Sequence, residues 1–522
     1  MIDSVVQQEQ GTAHSAPSEM SNTAWMHALL YIAAVAMLLR FYALPLKPLH
    51  HDEGVNALFL VKLVEPPHVY KYDPANYHGP TLYYFGWLSA LAVGLSVASM
   101  RAVTAVTGML AVFALLALKR RLGAVGAISA ALLFAVSPGA VYFSRYNIHE
   151  MLLVCFTLWA VVLTVTWPPR FRLLYLSGAA AAAGLAFATK ETAIITAGVI
   201  AIAVVSSGTF VRLREATPDG ETQGLLARLF RATAVTIREL VPDRRSHVLS
   251  VVTALIVFLA VNVLFYSSFF THWPGVMDAV RSLAIWTGTG TSAHVRPWHA
   301  YFGWLAEEEL PLFLLGALGA AHAIWRGVDR FMVFSALWVV GMVAAYSLIP
   351  YKTPWLTLNM LAPLAICAGY TCELAWRFRH RFRAALFVAA LLALGLSTGQ
   401  ALVLNFREYD NDRYAYVYAH TSREVLGLVQ RIAQLQAAHG PLTIAVTSPQ
   451  QFPLSWYLRG YRAGYYGREI ATGDPIVIAS EDQQFVLGAM LGASYEAVGA
   501  YKLRPGVRLI LYVRRDLRLP AS

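Results

Sequence analysis

Four short polar motifs contain the residues of this sequence that could perform acid–base or phosphate chemistry. They are HHDE at 50–53, SRYNIHE at 144–150, TKET at 189–192 and YKTPW at 351–355. Each motif stands at the end of a long apolar stretch, where a membrane border would place it. Ionisable groups at such borders cost free energy and usually serve a function. We therefore expect the four motifs to form one polar site.

The HHDE motif contains the clearest candidate for a general base. Asp52 and Glu53 are adjacent carboxylates that follow two imidazoles, His50 and His51. A positioned carboxylate can take a proton from a substrate hydroxyl. The competing interpretation is a solvated loop end, which is the commoner explanation of an isolated Asp-Glu pair. The other three motifs favour the catalytic interpretation.

His149 and Glu150 begin an apolar stretch, and we expect them on the same membrane face as Asp52. Together with His51 they supply the nitrogen and oxygen ligands that suit Mg²⁺ or Mn²⁺. The alternative for Glu150 is structural, because the helix dipole favours an acidic residue in the first turn. The sequence leaves both interpretations open, and with them the requirement for a divalent cation.

Three cations, Arg145, Lys190 and Lys352, accompany these carboxylates. Lysine is a compact charge and arginine a planar fork, and both bind phosphate oxygens. Interfacial snorkelling is the alternative for any single long side chain. Convergence of the three favours a phosphate site, and His78 and Tyr351 complete the predicted substrate-binding set.

Membrane-spanning helices must position these motifs. Of the 522 residues, 57% are apolar and 14% are charged, whereas a soluble chain has about 45–50% and 25%. The apolar residues form repeated blocks close to the roughly 20 residues that cross a bilayer. The composition excludes a soluble enzyme and predicts a polytopic α-helical membrane protein with about eleven spanning helices.

The basic residues orient the chain. The net charge is +11, but Lys and Arg lie in short stretches between apolar blocks, which argues against nucleic acid as a partner. If 82–98 lies at the outer surface, the inner segments carry most Lys and Arg, as the positive-inside rule requires. The alternative, in which 82–98 spans and the N-terminus lies outside, fits the charges equally well but separates HHDE from the other motifs.

The sequence predicts three parts. Residues 1–23 are expected to form a disordered cytoplasmic tail, and 24–404 a transmembrane domain with external loops 44–101 and 267–309. Residues 405–522 alternate helix-like and strand-like segments, which predicts a small external α/β domain. No glycine-rich fingerprint follows its first strand, so no nucleotide cofactor is expected.

The motifs HDE, YDP…HGPTLYY, SRYNIHE, ATKET and YKTPWL resemble those of the GT-C superfamily of polytopic glycosyltransferases. The set is most similar to the prokaryotic flippase-activity-associated, protein-mannosyltransferase-like group, over most of residues 24–404. The resemblance implies transfer of a sugar from a polyprenyl-phosphate carrier to an acceptor protein, glycan or lipid. It places the site on the external face of a prokaryotic plasma membrane.

The resemblance also implies roles for single residues. Asp52 resembles the superfamily's catalytic carboxylate, with Glu53 beside it, and Glu150 stands at the second acidic site, which here reads His-Glu rather than an Asp-containing form. An inverting transfer follows, in which Asp52 activates the acceptor hydroxyl. The cations named above would stabilise the departing lipid phosphate, with or without a divalent cation.

Two other classes compete with a glycosyltransferase: a transporter or lipid flippase, and a non-catalytic component of a glycan-assembly complex. Transporters typically show inverted repeats and broken helices near the midplane. The sequence indicates neither, and its charged motifs stand at one set of helix ends. The presence of all four motifs argues against a non-catalytic component.

Overall fold

Long apolar helices make up most of the structure, a computed structural model that describes residues 20–215, 224–240, 245–289, 294–327, 329–377 and 380–517. Within these ranges eight helices are long and apolar enough to cross a membrane. The helices that form or overlap these spans are Asn22–Phe41, Val97–Ala117, His149–Thr166, Ala193–Glu215, Arg245–Tyr266, Arg330–Leu348, Leu358–Arg377 and His380–Leu402. The chain is an integral membrane protein, as predicted.

Shorter helices determine the number of crossings. Ala124–Val136 and Pro138–Ser144 form a pair bent by 61° that would make a ninth span. Arg172–Phe187 and Leu310–Arg326, with 16 and 17 residues, would bring the number to the predicted eleven. Thr81–Val93 has 13 residues, about 20 Å of helix, against a hydrocarbon layer of about 30 Å. Both the count of eleven and the surface location of 82–98 stay predictions.

The bent pair corrects one expectation, because the sequence indicated no broken helix. Ser137 ends the first half and caps the second, accepting a hydrogen bond from the Ala140 amide at 3.1 Å. Proline is favoured at the first position of a helix but cannot continue one. Pro138 therefore restarts the chain in a new direction.

Glycine residues let the helices at the centre of the bundle approach each other closely. Helix Leu358–Arg377 lies against Leu310–Arg326 and Ala124–Val136. A Cβ added at Gly319 would lie 2.0 Å from the Cys367 carbonyl oxygen. Small residues of this kind let membrane helices pack backbone against backbone. The bundle is therefore a fixed scaffold for the chain segments at its ends.

The remaining helices lie between or beyond the spans. They are His51–Val64, Lys119–Leu122, Leu225–Leu240, Pro274–Thr289, Ala300–Glu308, Glu424–His439, Leu454–Tyr457 and Gln484–Leu491. Helix Leu225–Leu240 is strongly amphipathic. The predicted tail 1–23 falls outside the described residues as far as residue 19, and the first helix already begins at Asn22.

The C-terminal sheet region, residues 424–517, contains a five-stranded sheet of order β2-β1-β3-β5-β4. The strands are β1 Thr443–Val446, β2 Arg462–Tyr465, β3 Ile476–Ser480, β4 Tyr495–Arg504 and β5 Val507–Arg514. β1 pairs in parallel with β2 and β3, whereas β5 is antiparallel to β3 and β4. The predicted fold class, a polytopic helical protein with a small C-terminal α/β part, is confirmed.

The C-terminal sheet region packs directly on the helix that carries HHDE. The Leu49 amide donates a hydrogen bond of 2.8 Å to the Tyr457 hydroxyl. A Cβ added at Gly54 would lie 2.9 Å from the Pro453 Cα atom. The two parts of the chain thus meet within one turn of Asp52.

Candidate active site

A cavity of about 580 Å³ collects residues from HHDE, SRYNIHE, TKET and YKTPW. The predicted site residues that line it are His51, Asp52, His78, His149, Glu150, Lys190 and Tyr351. The predicted residues Glu53, Arg145 and Lys352 do not line it. The four motifs therefore meet at one place, although not every predicted side chain faces it.

Asp52 stands in the first turn of helix His51–Val64, where the helix dipole favours a carboxylate. Its amide donates a 3.1 Å hydrogen bond to His50 Nδ1. The His50 Nε2–H then donates to the Tyr418 carbonyl oxygen at 3.2 Å. Burial lowers the pKa of His50, which favours this neutral tautomer. The Asp52 side chain is 41% exposed, so it is open to a ligand in the cavity.

Glu53 corrects the prediction of a second catalytic carboxylate. Its side chain is fully buried in an ion pair with Arg101, at 2.6 Å between Oε2 and Nη2. It also accepts hydrogen bonds from the Asn147 and His50 amides at 2.8 and 3.0 Å. Burial raises the pKa of Glu53, but Arg101 outweighs burial and the pKa stays below its ordinary value. With its oxygens occupied, Glu53 anchors the helix start.

Arg145 and Lys352 correct the predicted phosphate site. Arg145 is buried at the C-terminal end of helix Asn22–Phe41, where a cation satisfies unpaired carbonyl groups. Its guanidinium donates to the carbonyl oxygens of Leu39, Arg40, Tyr42 and Ala43. Lys352 is also buried, and its ammonium donates to the Ile349 carbonyl oxygen. Both cations bind backbone carbonyl groups and do not line the cavity.

Lys190 lies in the cavity but carries a partner. Its ammonium forms an ion pair with Glu150, and Glu191 pairs with His78 Nδ1 at 2.9 Å. Burial lowers the pKa of Lys190, but the two carboxylates raise it more, so the lysine stays protonated. We call these four residues, with His149, the Lys190 end of the cavity. This end sets one ammonium against two carboxylates, of which Glu150 pairs with Lys190 and Glu191 with His78.

Glycine brings His78 to this end. The Gly79 amide donates a 3.0 Å hydrogen bond to the Thr189 carbonyl oxygen. A Cβ at position 79 would lie 2.1 Å from the Ala188 carbonyl oxygen, so no larger residue fits. The HGPT segment is thereby fixed against the TKET segment.

The predicted metal ligands do not assemble. Glu150 is occupied by Lys190, and His51 lies beside Arg504 instead. Throughout the part of the chain that the structure describes, no three His, Cys, Asp or Glu side chains are placed to hold an ion. His149 keeps a buried Nε2 atom without a hydrogen-bond partner among the described residues. The described residues of the cavity therefore do not fit a bound divalent cation.

The lining also contains His294, Tyr418 and Arg504, none of which belongs to the predicted set of site residues. His294 Nδ1 lies 2.8 Å from the Tyr418 hydroxyl, and Val295 forms a β-bridge with Tyr351. His294 and Trp286 belong to the predicted external loop 267–309, of which residues 290–293 lie outside the described ranges. No local pattern marks Arg504, because its strand is remote in sequence.

Comparison with known proteins confirms the resemblance to the GT-C superfamily. Residues 77–227 match the family described as dolichyl-phosphate-mannose-protein mannosyltransferase. That match includes Glu150 and Lys190 but not HHDE. No curated protein matches the chain.

Solved structures show the fold. ArnT from Cupriavidus metallidurans bound to undecaprenyl phosphate is 16% identical with a TM-score of 0.61, covering 96% of this chain and 100% of that one. ArnT from the same organism in its apo state is 16% identical with a TM-score of 0.62, and the match covers 95% of this chain and 100% of that one. The Archaeoglobus fulgidus oligosaccharyltransferase in its apo form is 14% identical, TM-score 0.53, covering 86% of this chain and 65% of that one. The chain has the fold of these GT-C proteins.

Proposed function

We propose that this protein is a glycosyltransferase that moves a sugar from a polyprenyl-phosphate carrier to an acceptor hydroxyl, on the non-cytoplasmic face of a membrane. The observation that carries the proposal is Asp52, an accessible carboxylate in a cavity built by motifs at the ends of membrane helices. The match to the mannosyltransferase family and the ArnT complex with undecaprenyl phosphate support it.

The proposed reaction is an inverting, single-displacement transfer. Asp52 takes the proton of the acceptor hydroxyl, whose oxygen forms a bond to the anomeric carbon of the sugar. The bond between that carbon and the phosphate oxygen breaks, and its electron pair leaves with the polyprenyl phosphate. The products are the new glycoside, the free lipid phosphate and protonated Asp52.

The departing phosphate needs charge stabilisation rather than a proton, because it is already an anion. The Lys190 ammonium has three donors, of which Glu150 accepts one. The Tyr351 side chain lines the same cavity and can donate a further hydrogen bond. We assign the Lys190 end to the phosphate, and the Asp52 side to the acceptor.

Replacement of the proposed base tests this function. We expect Asp52→Asn to lower the release of polyprenyl phosphate from polyprenyl-phosphate sugars by about 10²-fold or more, since an amide takes no proton. Purified protein is incubated with a panel of such donors and acceptors, and the freed lipid phosphate is measured.

The exposed Asp482 of the C-terminal sheet region is the matched control. Asp482→Asn should keep the rate of the unaltered protein, and both variants should keep its unfolding temperature. Full transfer by Asp52→Asn would overturn the assignment.

A further inference from the structure

Arg504, the last residue of β4, brings a positive charge from the C-terminal sheet region into the cavity. Its Nη2 donates to Gln450 Oε1, and its Nη1 lies 3.4 Å from His51 Nδ1. Neither contact is with a carboxylate. Among the described residues Arg504 forms no ion pair, although its side chain is half-buried.

The other cation of the cavity lining differs in this respect. Lys190 is neutralised by Glu150, while Arg145 and Lys352 do not line the cavity. A guanidinium presents five N–H donors, and a partly buried charge is costly unless an anion pairs with it. Burial lowers the pKa of Arg504, while the charge of Asp52 favours the protonated form. Asp52 thus influences Arg504, but no carboxylate of the described residues lies within ion-pair distance of it, and the guanidinium can bind an anion that enters the cavity.

The position of Arg504 decides which substrate it contacts. Arg504 lies beside His51, which precedes Asp52 in the chain. Lys190, in contrast, is paired with Glu150 at the Lys190 end of the cavity. In a single displacement the attacking oxygen and the departing oxygen lie on opposite sides of the anomeric carbon. A group beside the base therefore faces the acceptor, and the leaving phosphate lies away from it.

We propose that Arg504, positioned by Gln450, is an anion-binding subsite for the acceptor, which carries a phosphate or carboxylate group near the hydroxyl that Asp52 activates. The inference rests on the proposed function, since that function defines the acceptor side. It gives the C-terminal sheet region a part in acceptor selection.

Binding without turnover tests the subsite. Calorimetry on the full-length protein in lipid nanodiscs measures the affinity for glucose 6-phosphate, for glucose, and for undecaprenyl phosphate. We expect the sugar phosphate to bind at least about 10-fold more tightly than glucose, the scale of a hydrogen-bonded charge pair. Arg504→Gln should abolish this preference and leave undecaprenyl phosphate binding within about 2-fold.

Two further variants guard against a merely structural effect. Arg504→Lys keeps the charge and should retain part of the preference. Arg508→Gln changes an exposed arginine of β5 in the same sheet and should change nothing. Matching unfolding temperatures show that the variants are folded.

Each other outcome overturns the inference. If Arg504→Gln instead lowers the affinity for undecaprenyl phosphate, the arginine binds the donor. If the unaltered protein binds glucose and glucose 6-phosphate alike, or if Arg504→Gln keeps the preference, the subsite does not exist. Failure of the proposed function has a separate signature, because the unaltered protein would then release no polyprenyl phosphate from any donor while these affinities remain measurable.

Discussion

Asp52 and Glu53 are neighbours in sequence with opposite surroundings. Asp52 is accessible from the cavity, whereas Glu53 is sealed against Arg101 and two backbone amides. The sequence predicts a carboxylate pair but not this division, because the guanidinium that claims Glu53 comes from another helix, 48 positions along the chain. Adjacent carboxylates thus differ in role: Asp52 is accessible to a ligand, and Glu53 anchors the start of the helix.

The division predicts different costs for matched substitutions. Glu53→Gln leaves the Arg101 charge buried without its counterion, which costs roughly 3–5 kcal/mol. Asp52→Asn removes no buried ion pair and should cost far less. Thermal unfolding of both variants in the same detergent measures the difference. Equal unfolding temperatures would contradict the anchoring role of Glu53.

At the scale of elements, Glu308 and Glu309 join helix Ala300–Glu308 to the segments around it. Glu309 accepts hydrogen bonds from the Ser137 hydroxyl at 3.0 Å and the Gly139 amide at 2.6 Å, at the break in the bent pair. Burial raises the pKa of Glu309 to about 8, and that of Glu308 to about 7. Both carboxyls are outside the cavity lining.

These pKa values predict that stability falls as the pH rises. The folded protein holds the Glu309 proton up to about pH 8, whereas an unfolded chain releases it near pH 4.3. The stability that this proton contributes is complete below the lower pKa and is lost as the pH rises through the higher one. Glutamine does not titrate. Glu309→Gln should therefore make the fall of the unfolding free energy with pH less steep, by up to about 1.4 kcal/mol per pH unit.

Unfolding temperatures at pH 6 and pH 9 measure this effect. Glu307→Gln alters the neighbouring exposed residue and should keep the pH dependence of the unaltered protein. An unchanged slope in Glu309→Gln would show that the proton is held elsewhere.

The sequence predicts elements where local pattern determines structure. Apolar length identifies the spanning helices, and β-branched runs identify β1, β3 and β5. The pattern misses β2 and β4, since RAGY is short and YEAVGAYKLR carries charges and a glycine. It also misses the break at Pro138, because an unbroken apolar run continues through it.

For the site, the sequence identifies residues that stand at span ends, such as Asp52, Glu150 and Lys190. It cannot tell which charges face the cavity, because Arg145 and Lys352 have the same local setting but satisfy backbone carbonyls. It cannot identify Arg504 at all, because only tertiary packing brings that residue beside His51.

At the scale of the whole molecule, the contact between Gly54 and Pro453 holds the C-terminal sheet region over the cavity. Gly54→Ala would place a Cβ 2.9 Å from the Pro453 Cα atom, in backbone that cannot yield. We expect this change to lower transfer several-fold, because it displaces the sheet region from the helix of Asp52. The freed polyprenyl phosphate is the measured quantity.

Gly488→Ala is the matched control, since Gly488 also lies in a helix and an added Cβ there meets nothing within 4 Å. Alanine is the better helix former by about 1 kcal/mol, so this variant should be at least as stable and fully active. Equal transfer by the two variants would contradict the importance of the contact.

The meeting of His51 and Arg504 has a consequence for biosynthesis. The two residues are 453 positions apart, so a ribosome delivers the first while most of the membrane helices and the entire sheet are still untranslated. At about 5–20 residues per second, synthesis of the intervening chain takes tens of seconds, during which Asp52 lacks the side of the cavity that Arg504 supplies. The unfinished protein therefore lacks a complete cavity wall until β4 has been translated.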